Sequence, residues 1–210
     1  GISSDGQHIP LTIVHHRDLT PHPESPLLLT GYGAYGMSLT PGFSVSRRTL
    51  LTRGVIHVTA HVRGGMENGY QWYRSGRMAD KDQSFNDFIS AAETLIRDGW
   101  TSAGNIILHG GSAGGLLVGT TVMRRPELFK GVIADVPFVD VLETMLDADL
   151  PLTPPEWPEW GNPIESMDAK RRLGHLSPTQ MVEKRPYPYI LATAGLTDPR
   201  VTYWEPARWI

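Results

Sequence analysis

The sequence predicts an α/β fold: a mostly parallel β-sheet covered by helices on both faces. Two observations carry this. Short apolar runs of strand length alternate along the chain with longer stretches of helical period. A glycine-rich turn, Gly110-Gly-Ser-Ala-Gly-Gly115, also sits directly between one such run and one such helix.

The elements follow in order. Leu11–His15 and Pro26–Thr30 read as strands, separated by a Pro- and His-rich turn from Thr20 to Pro26. Gly54–His61 is a strand rich in β-branched residues. Over Ser84–Asp98 the residues Phe85, Phe88, Ile89, Ala92, Leu95 and Ile96 fall on one helical face, and Gly99 ends the helix. Asn105–His109 is a short buried strand and Ala113–Arg124 a helix that begins with small residues. Gly131–Val136 and Tyr189–Ala194 complete the strands. Residues 147–188 are rich in Pro and Trp and weakly periodic, and are expected to run over the top of the sheet within the same domain.

Composition narrows the function. Nineteen basic and 22 acidic residues leave a net charge of −3, too little to argue for nucleic acid or an anionic membrane as partner. With no cysteine, disulfides, Cys-ligated zinc and thiol catalysis are excluded. No run of 18 apolar residues exists, and no metal or cofactor is expected. A cytoplasmic location is expected, with the periplasm left open. The chain starts without Met and stops in a helical pattern, so it is expected to be part of a longer protein, one partial domain over residues 1–210.

The glycine-rich turn carries the chemistry. Gly110-x-Ser112-x-Gly114 follows an apolar strand and precedes a helix, the context in which G-x-S-x-G holds a nucleophilic serine. A strand that turns this sharply into a helix brings the backbone at positions 110 and 114 together, which glycine permits. The first helical turn then offers free N–H groups to a developing oxyanion, Ala113 N–H first. A phosphate-binding glycine turn fits less well, because the G-x-G-x-x-G spacing is absent. In the α/β-hydrolase fold thus implied, the triad order is serine, acid, histidine. Asp198, just beyond the strand Tyr189–Ala194, is the candidate acid, although Asp-Pro is also an ordinary turn pair. None of the eight histidines follows Asp198, so the base is expected beyond residue 210 and residues 1–210 alone are expected to lack turnover.

Gly31-Tyr-Gly-Ala-Tyr-Gly36, His61-Val-Arg-Gly-Gly65, Phe85-Asn-Asp-Phe88, the serine turn, Arg125-Pro-Glu-Leu-Phe129, Val136-Pro-Phe-Val-Asp140, Glu159-Trp-Gly-Asn-Pro163 and Tyr203-Trp-Glu-Pro206 occur in this order. With them the chain resembles the catalytic domain of the prolyl oligopeptidase family of serine peptidases, and within it the oligopeptidase B branch. The resemblance implies Ser112 as nucleophile, Asp198 as acid, and Tyr32 hydroxyl with Ala113 N–H as the oxyanion hole. It implies cleavage of short peptides after Arg or Lys, with Phe138 as stacking ring and Glu156 as carboxylate. Glu159, a second acid of the same segment, is a further substrate-binding candidate, and Arg200 matches a substrate-binding position. It also implies an N-terminal β-propeller in the full-length protein. The chain departs from the pattern at Pro158, where relatives carry another acid, and over Arg63–Gly69, where Gly64-Gly65 is followed by Met66-Glu67 in place of a further glycine and a hydrophobic residue. An esterase or acyl-peptide hydrolase of the same fold, and a binding module that keeps the serine turn without its base, remain alternatives.

Overall fold

The computed structural model describes residues 1–210. Its single sheet has six strands: β1 (Leu11–Val14), β2 (Leu27–Thr30), β3 (Ile56–Ala60), β4 (Ile106–Gly111), β5 (Phe129–Asp135) and β6 (Tyr189–Thr193). The spatial order is β1-β3-β2-β4-β5-β6. Only the β1–β3 pair is antiparallel. The chain runs from β2 outward to β3, crosses back to β4, and continues to β5 and β6. The segments leaving β2 and β4 at their carboxyl ends therefore diverge, and a crevice forms between them at this switch point. Tyr32 follows β2 and Ser112 follows β4.

The period of two along the strands decides which face is dry. Leu27, Leu29, Ile56, Val58, Ile106 and Leu108 are at most 1% exposed, in one continuous core with the helices. Two helices cover that face. α3 (Asp82–Arg97) buries Phe85, Phe88, Ala91, Ala92 and Leu95, close to the expected stripe, and α4 (Ala113–Arg124) packs on it. The short α1 (Val45–Leu51) lies against β3 on the opposite face, and α2 (Tyr70–Arg74) follows with Trp72 buried.

Residues 147–188 are more regular than the sequence suggests. After α5 (Val141–Leu146) they form α6 (Thr153–Trp160) and α7 (Met167–Leu176). Pro154 and Pro155 lie in the first turn of α6, where no N–H is required, so they start the helix instead of blocking it. Pro158 removes one later bond, and the helix ends three residues on at Gly161, whose φ is 104°. Trp160 is the buried anchor at 1% exposure, and α7 is capped by Ser166. The last element, α8 (Trp204–Trp209), buries Glu205, Pro206 and Trp209.

The β4–α4 turn is the tightest point of the fold. Ser112 has φ 55° and ψ −122°, a costly conformation for a residue with a side chain. A Cβ at Gly110 would stand 2.2 Å from Gly114 O, one at Gly114 2.8 Å from Gly31 O, and one at Gly115 2.5 Å from Pro137 Cα. All three obstacles are backbone, so no side-chain rotation relieves them.

Two outcomes follow for the full-length protein. Gly110→Ala is expected to lower stability by about 1–3 kcal/mol through overpacking, read as a reduced denaturation midpoint. Glu205 is 1% exposed, and its burial pushes its pKa from 4.5 up to about 7. Its folded value lies above its unfolded one, so its stabilising contribution is complete below about pH 4.5 and is lost as pH rises through 7. Between pH 4.5 and 8 the wild type is expected to lose about 3 kcal/mol more than Glu205→Gln, the equivalent of that shift. Parallel pH–stability curves for the two proteins would contradict this.

Candidate active site

Ser112 stands at the apex of the β4–α4 turn. Its N–H donates to Asp135 O (2.9 Å), and its carbonyl accepts from Gly115 N (2.8 Å) and Phe138 N (3.1 Å). The serine backbone is thereby locked between β5 and the segment that follows it. Ala113 begins α4, so its N–H has no preceding intrahelical carbonyl and is available to an incoming oxygen.

A cavity of about 440 Å³ opens at the carboxyl edge of the sheet, and Ser112, Tyr32, Phe138, Glu156 and Arg200 all line it. Five of the eight residues singled out from the sequence thus meet in one space, from five separate stretches of chain. Tyr32 is half-buried, and burial holds its pKa above the usual phenol range. The Glu156 and Glu159 carboxylates add to the rise, while the neighbouring Ser112 hydroxyl and Arg200 oppose it. The phenol therefore keeps its proton at neutral pH and can donate it to an oxyanion.

The loop carrying Tyr32 is braced from beneath. Lys81, fully enclosed in the core, donates to Gly33 O and to Gly76 O (3.3 Å) and lies 5.0 Å from the Trp160 ring centre. Burial pushes its pKa down to about 8, against the pull of Glu159. A Cβ on Gly114 would meet Tyr32 Cδ2 at 3.2 Å as well as the Gly31 carbonyl, so the loop and the serine turn approach as closely as glycine allows.

Glu156 and Glu159 prove to be different kinds of group. Glu156 is part-exposed at the cavity, and one carboxylate oxygen, Oε2, accepts from Tyr35 Oη (2.5 Å) and Trp160 Nε1 (2.7 Å). Glu159, one α6 position before Trp160, is 5% exposed and outside the cavity lining. It accepts from Tyr35 N (3.0 Å) and Tyr73 Oη (2.6 Å). Tyr35 has a φ of 58°, so Glu159 holds a strained backbone, while the tyrosine hydroxyl holds Glu156. Phe138 is 6% exposed and packs on Trp160, ring centres 5.4 Å apart.

Asp198 does not itself line the cavity, although Pro199 to Thr202 do. It sits in the turn after β6, and its carboxylate accepts from Arg200 N (2.8 Å) and Val201 N (3.1 Å). Those two bonds hold its pKa below the usual carboxylate range. Ser112 and Asp198 follow β4 and β6, which flank β5, so about 10 Å of sheet width lies between their strands. None of the eight histidines lines the Ser112 cavity. His57, His61 and His109 line a separate one of about 660 Å³ beneath α1. Burial pushes His57 down to about 4. His61 bonds Thr12 Oγ1 (2.8 Å) and Glu67 (3.3 Å), and Glu67 also accepts from Leu39 N (2.9 Å), which ties the Arg63–Gly69 loop to its neighbours. His109 Nε2 contacts Asp135 Oδ2 at 2.9 Å and stays half-exposed instead of packing in the core.

Comparison with known proteins agrees with this architecture. A profile of the prolyl oligopeptidase family matches residues 41–210. Protease 2 of Moraxella lacunata is 45% identical over 98% of this chain and 30% of its own length. Dipeptidyl aminopeptidase BI of Pseudoxanthomonas mexicana is 41% identical over 96% of this chain and 28% of its own. The structure of oligopeptidase B from Leishmania major superposes with a TM-score of 0.96 at 44% identity, over 99% of this chain and 29% of that one. The chain thus spans about a third or less of the proteins it matches. The family match covers most of the chain and the identity is high over nearly all of it, and the chain belongs to the prolyl oligopeptidase family.

Proposed function

We propose that the full-length protein hydrolyses short peptides after Arg or Lys through an acyl-enzyme on Ser112. The observation that carries this is the strained Ser112 backbone, φ 55° and ψ −122°, at the rim of a cavity shared with Tyr32, Phe138 and Glu156. A serine hydroxyl is a weak nucleophile, and attack on a peptide carbonyl needs a base to take its proton. In this reading a histidine from beyond residue 210 enters the gap between β4 and β6, takes the Ser112 proton and returns it to the leaving amine. Asp198 orients that imidazole and stabilises its charged form. Its low pKa keeps it ionised for the task. Ala113 N–H and the protonated Tyr32 hydroxyl receive the negative oxygen of the tetrahedral intermediate.

Specificity follows from the cavity wall. Phe138 offers a ring face to a guanidinium or to a lysine stem. Glu156 offers a carboxylate whose Oε2 is already fixed by Tyr35 and Trp160, leaving Oε1 to meet a cation. Arg200 is a cation on the same cavity and suits a substrate carbonyl or carboxylate. Glu159 supports this wall through Tyr35 and has no direct part in binding. An N-terminal β-propeller in the full-length protein would restrict access to short peptides.

Tyr32→Phe is expected to lower kcat by about 10²–10³-fold with little change in KM, the usual loss for one oxyanion donor. A wild-type kcat would remove Tyr32 from the oxyanion hole. Glu156→Ala is expected to cost about 2–5 kcal/mol in kcat/KM for arginyl substrates, as for a buried charge pair losing one partner. An undiminished preference for arginyl over uncharged substrates would place the recognition elsewhere.

A further inference from the structure

We propose that Glu205 is a positioning residue for this reaction, fixing the segment that carries Asp198 against the Phe138 segment, which hydrogen-bonds the Ser112 backbone. The inference rests on the hydrolytic reading above and adds a residue to it. Glu205 stands seven positions after Asp198, on the buried face of α8. Its Oε2 accepts from Val139 N (2.8 Å) and Asp140 N (2.9 Å), and its Oε1 from Thr144 Oγ1 (2.7 Å). The two peptide N–H groups are those that directly follow Phe138, whose own N–H donates to the Ser112 carbonyl. Hydrogen bonds at either end of the Phe138–Asp140 backbone therefore join the helix after the candidate acid to the backbone of the nucleophile.

The local charges make a purely stabilising role a poor explanation. No cation touches Glu205. Its charged neighbour is Asp140, 1% exposed, whose carboxylate takes up Arg208 Nη1 (2.5 Å) and Thr179 Oγ1 (2.7 Å). Burial, with Asp140 adding to it, raises the Glu205 pKa against the pull of its three donors. A buried carboxylate without a cation is a costly way to join two segments. It does supply what an apolar side chain cannot, a rigid acceptor for two adjacent N–H groups and a hydroxyl at once. Asp140 repeats the device in miniature, since Arg208 ties the same helix to the same turn. The chain segments that must hold Ser112 and Asp198 at a fixed separation are thus pinned at one carboxylate. An imidazole spanning that gap tolerates little error, because a misplacement of about 1 Å can cost about 10²-fold in rate.

The test compares Glu205→Ala and Glu205→Gln in the full-length protein. Rates are expressed per Ser112 site, counted by the end-point of fluorophosphonate labelling, so that loss of folded protein does not enter. Glu205→Ala is expected to lower kcat per labelled site by about 10–100-fold with KM within about threefold, the pattern of misaligned reacting groups. Glu205→Gln keeps an oxygen for the two N–H groups and should retain kcat within about threefold. Should Glu205→Ala fail to fold, Thr144→Val removes one of the three bonds and is expected to lower kcat per site by about two- to fivefold. A per-site kcat unchanged in Glu205→Ala (or in Thr144→Val, where only that variant folds) overturns the proposal and leaves Glu205 structural. So does an equal loss in the alanine and glutamine variants. A wild-type protein that hydrolyses no arginyl or lysyl peptide defeats the functional reading itself, which separates the two failures.

Discussion

The constraint on which the rest of the structure depends is the close backbone contact around Ser112. β4 must stop, reverse and become α4 within one residue, and the β2 loop must lie across the result. Gly110 meets the Gly114 carbonyl, Gly114 meets the Gly31 carbonyl, and Gly115 meets Pro137, each nearer than any Cβ could sit. Once these contacts are made, the arrangement of the site follows from topology. The β2 and β4 segments leave the sheet in opposite directions at the switch point, so Tyr32 and Ser112 face one crevice. The β5 segment brings Phe138 to the same rim through its bond to the Ser112 carbonyl.

Around this centre the protein spends buried polar groups on position. Lys81 braces the Tyr32 loop at Gly33 and Gly76. Glu159 fixes the left-handed backbone of Tyr35, and Tyr35 in turn fixes Glu156. Glu205 fastens α8 to the turn beyond β5. Arg63 plays the same part on the far side of α3, where Asp87, Asp5 and Ser3 receive its guanidinium and tie the N-terminal segment to the helix. Each of these groups is costly when unpaired and specific when satisfied.

What the sequence revealed tracks how local the determining physics is. The α3 stripe, the apolar cores of β2 to β5 and the serine turn are written in spacings of two to four residues, and all appear where expected. The serine turn was especially legible because its steric demand selects one residue type at three nearby positions. α6 and α7 were not, because Pro154, Pro155 and Pro158 obscure a helix whose first turn tolerates two of them. The roles of Glu156 and Glu159 could not be separated by sequence. Both are acids in one short helix, and only their contacts with Tyr35, Tyr73 and Trp160, more than 80 positions away for the tyrosines, make one a cavity wall and the other a brace. Glu205 lies in the Tyr203-Trp-Glu-Pro206 block, yet nothing in the sequence marked it as a buried acid, since an acid in the first turn of a helix ordinarily faces solvent and favours the dipole.

The central claim is that residue 112, and no other serine, is held in a reactive turn. Its most direct test is incubation of the full-length protein with a fluorophosphonate at neutral pH, followed by peptide mapping of the adduct. A single phosphonylated site at Ser112, lost in Ser112→Ala and accompanied by loss of peptide hydrolysis in proportion to labelling, is the result this account predicts. Labelling at another serine, or hydrolysis that persists when Ser112 is fully modified, would contradict it.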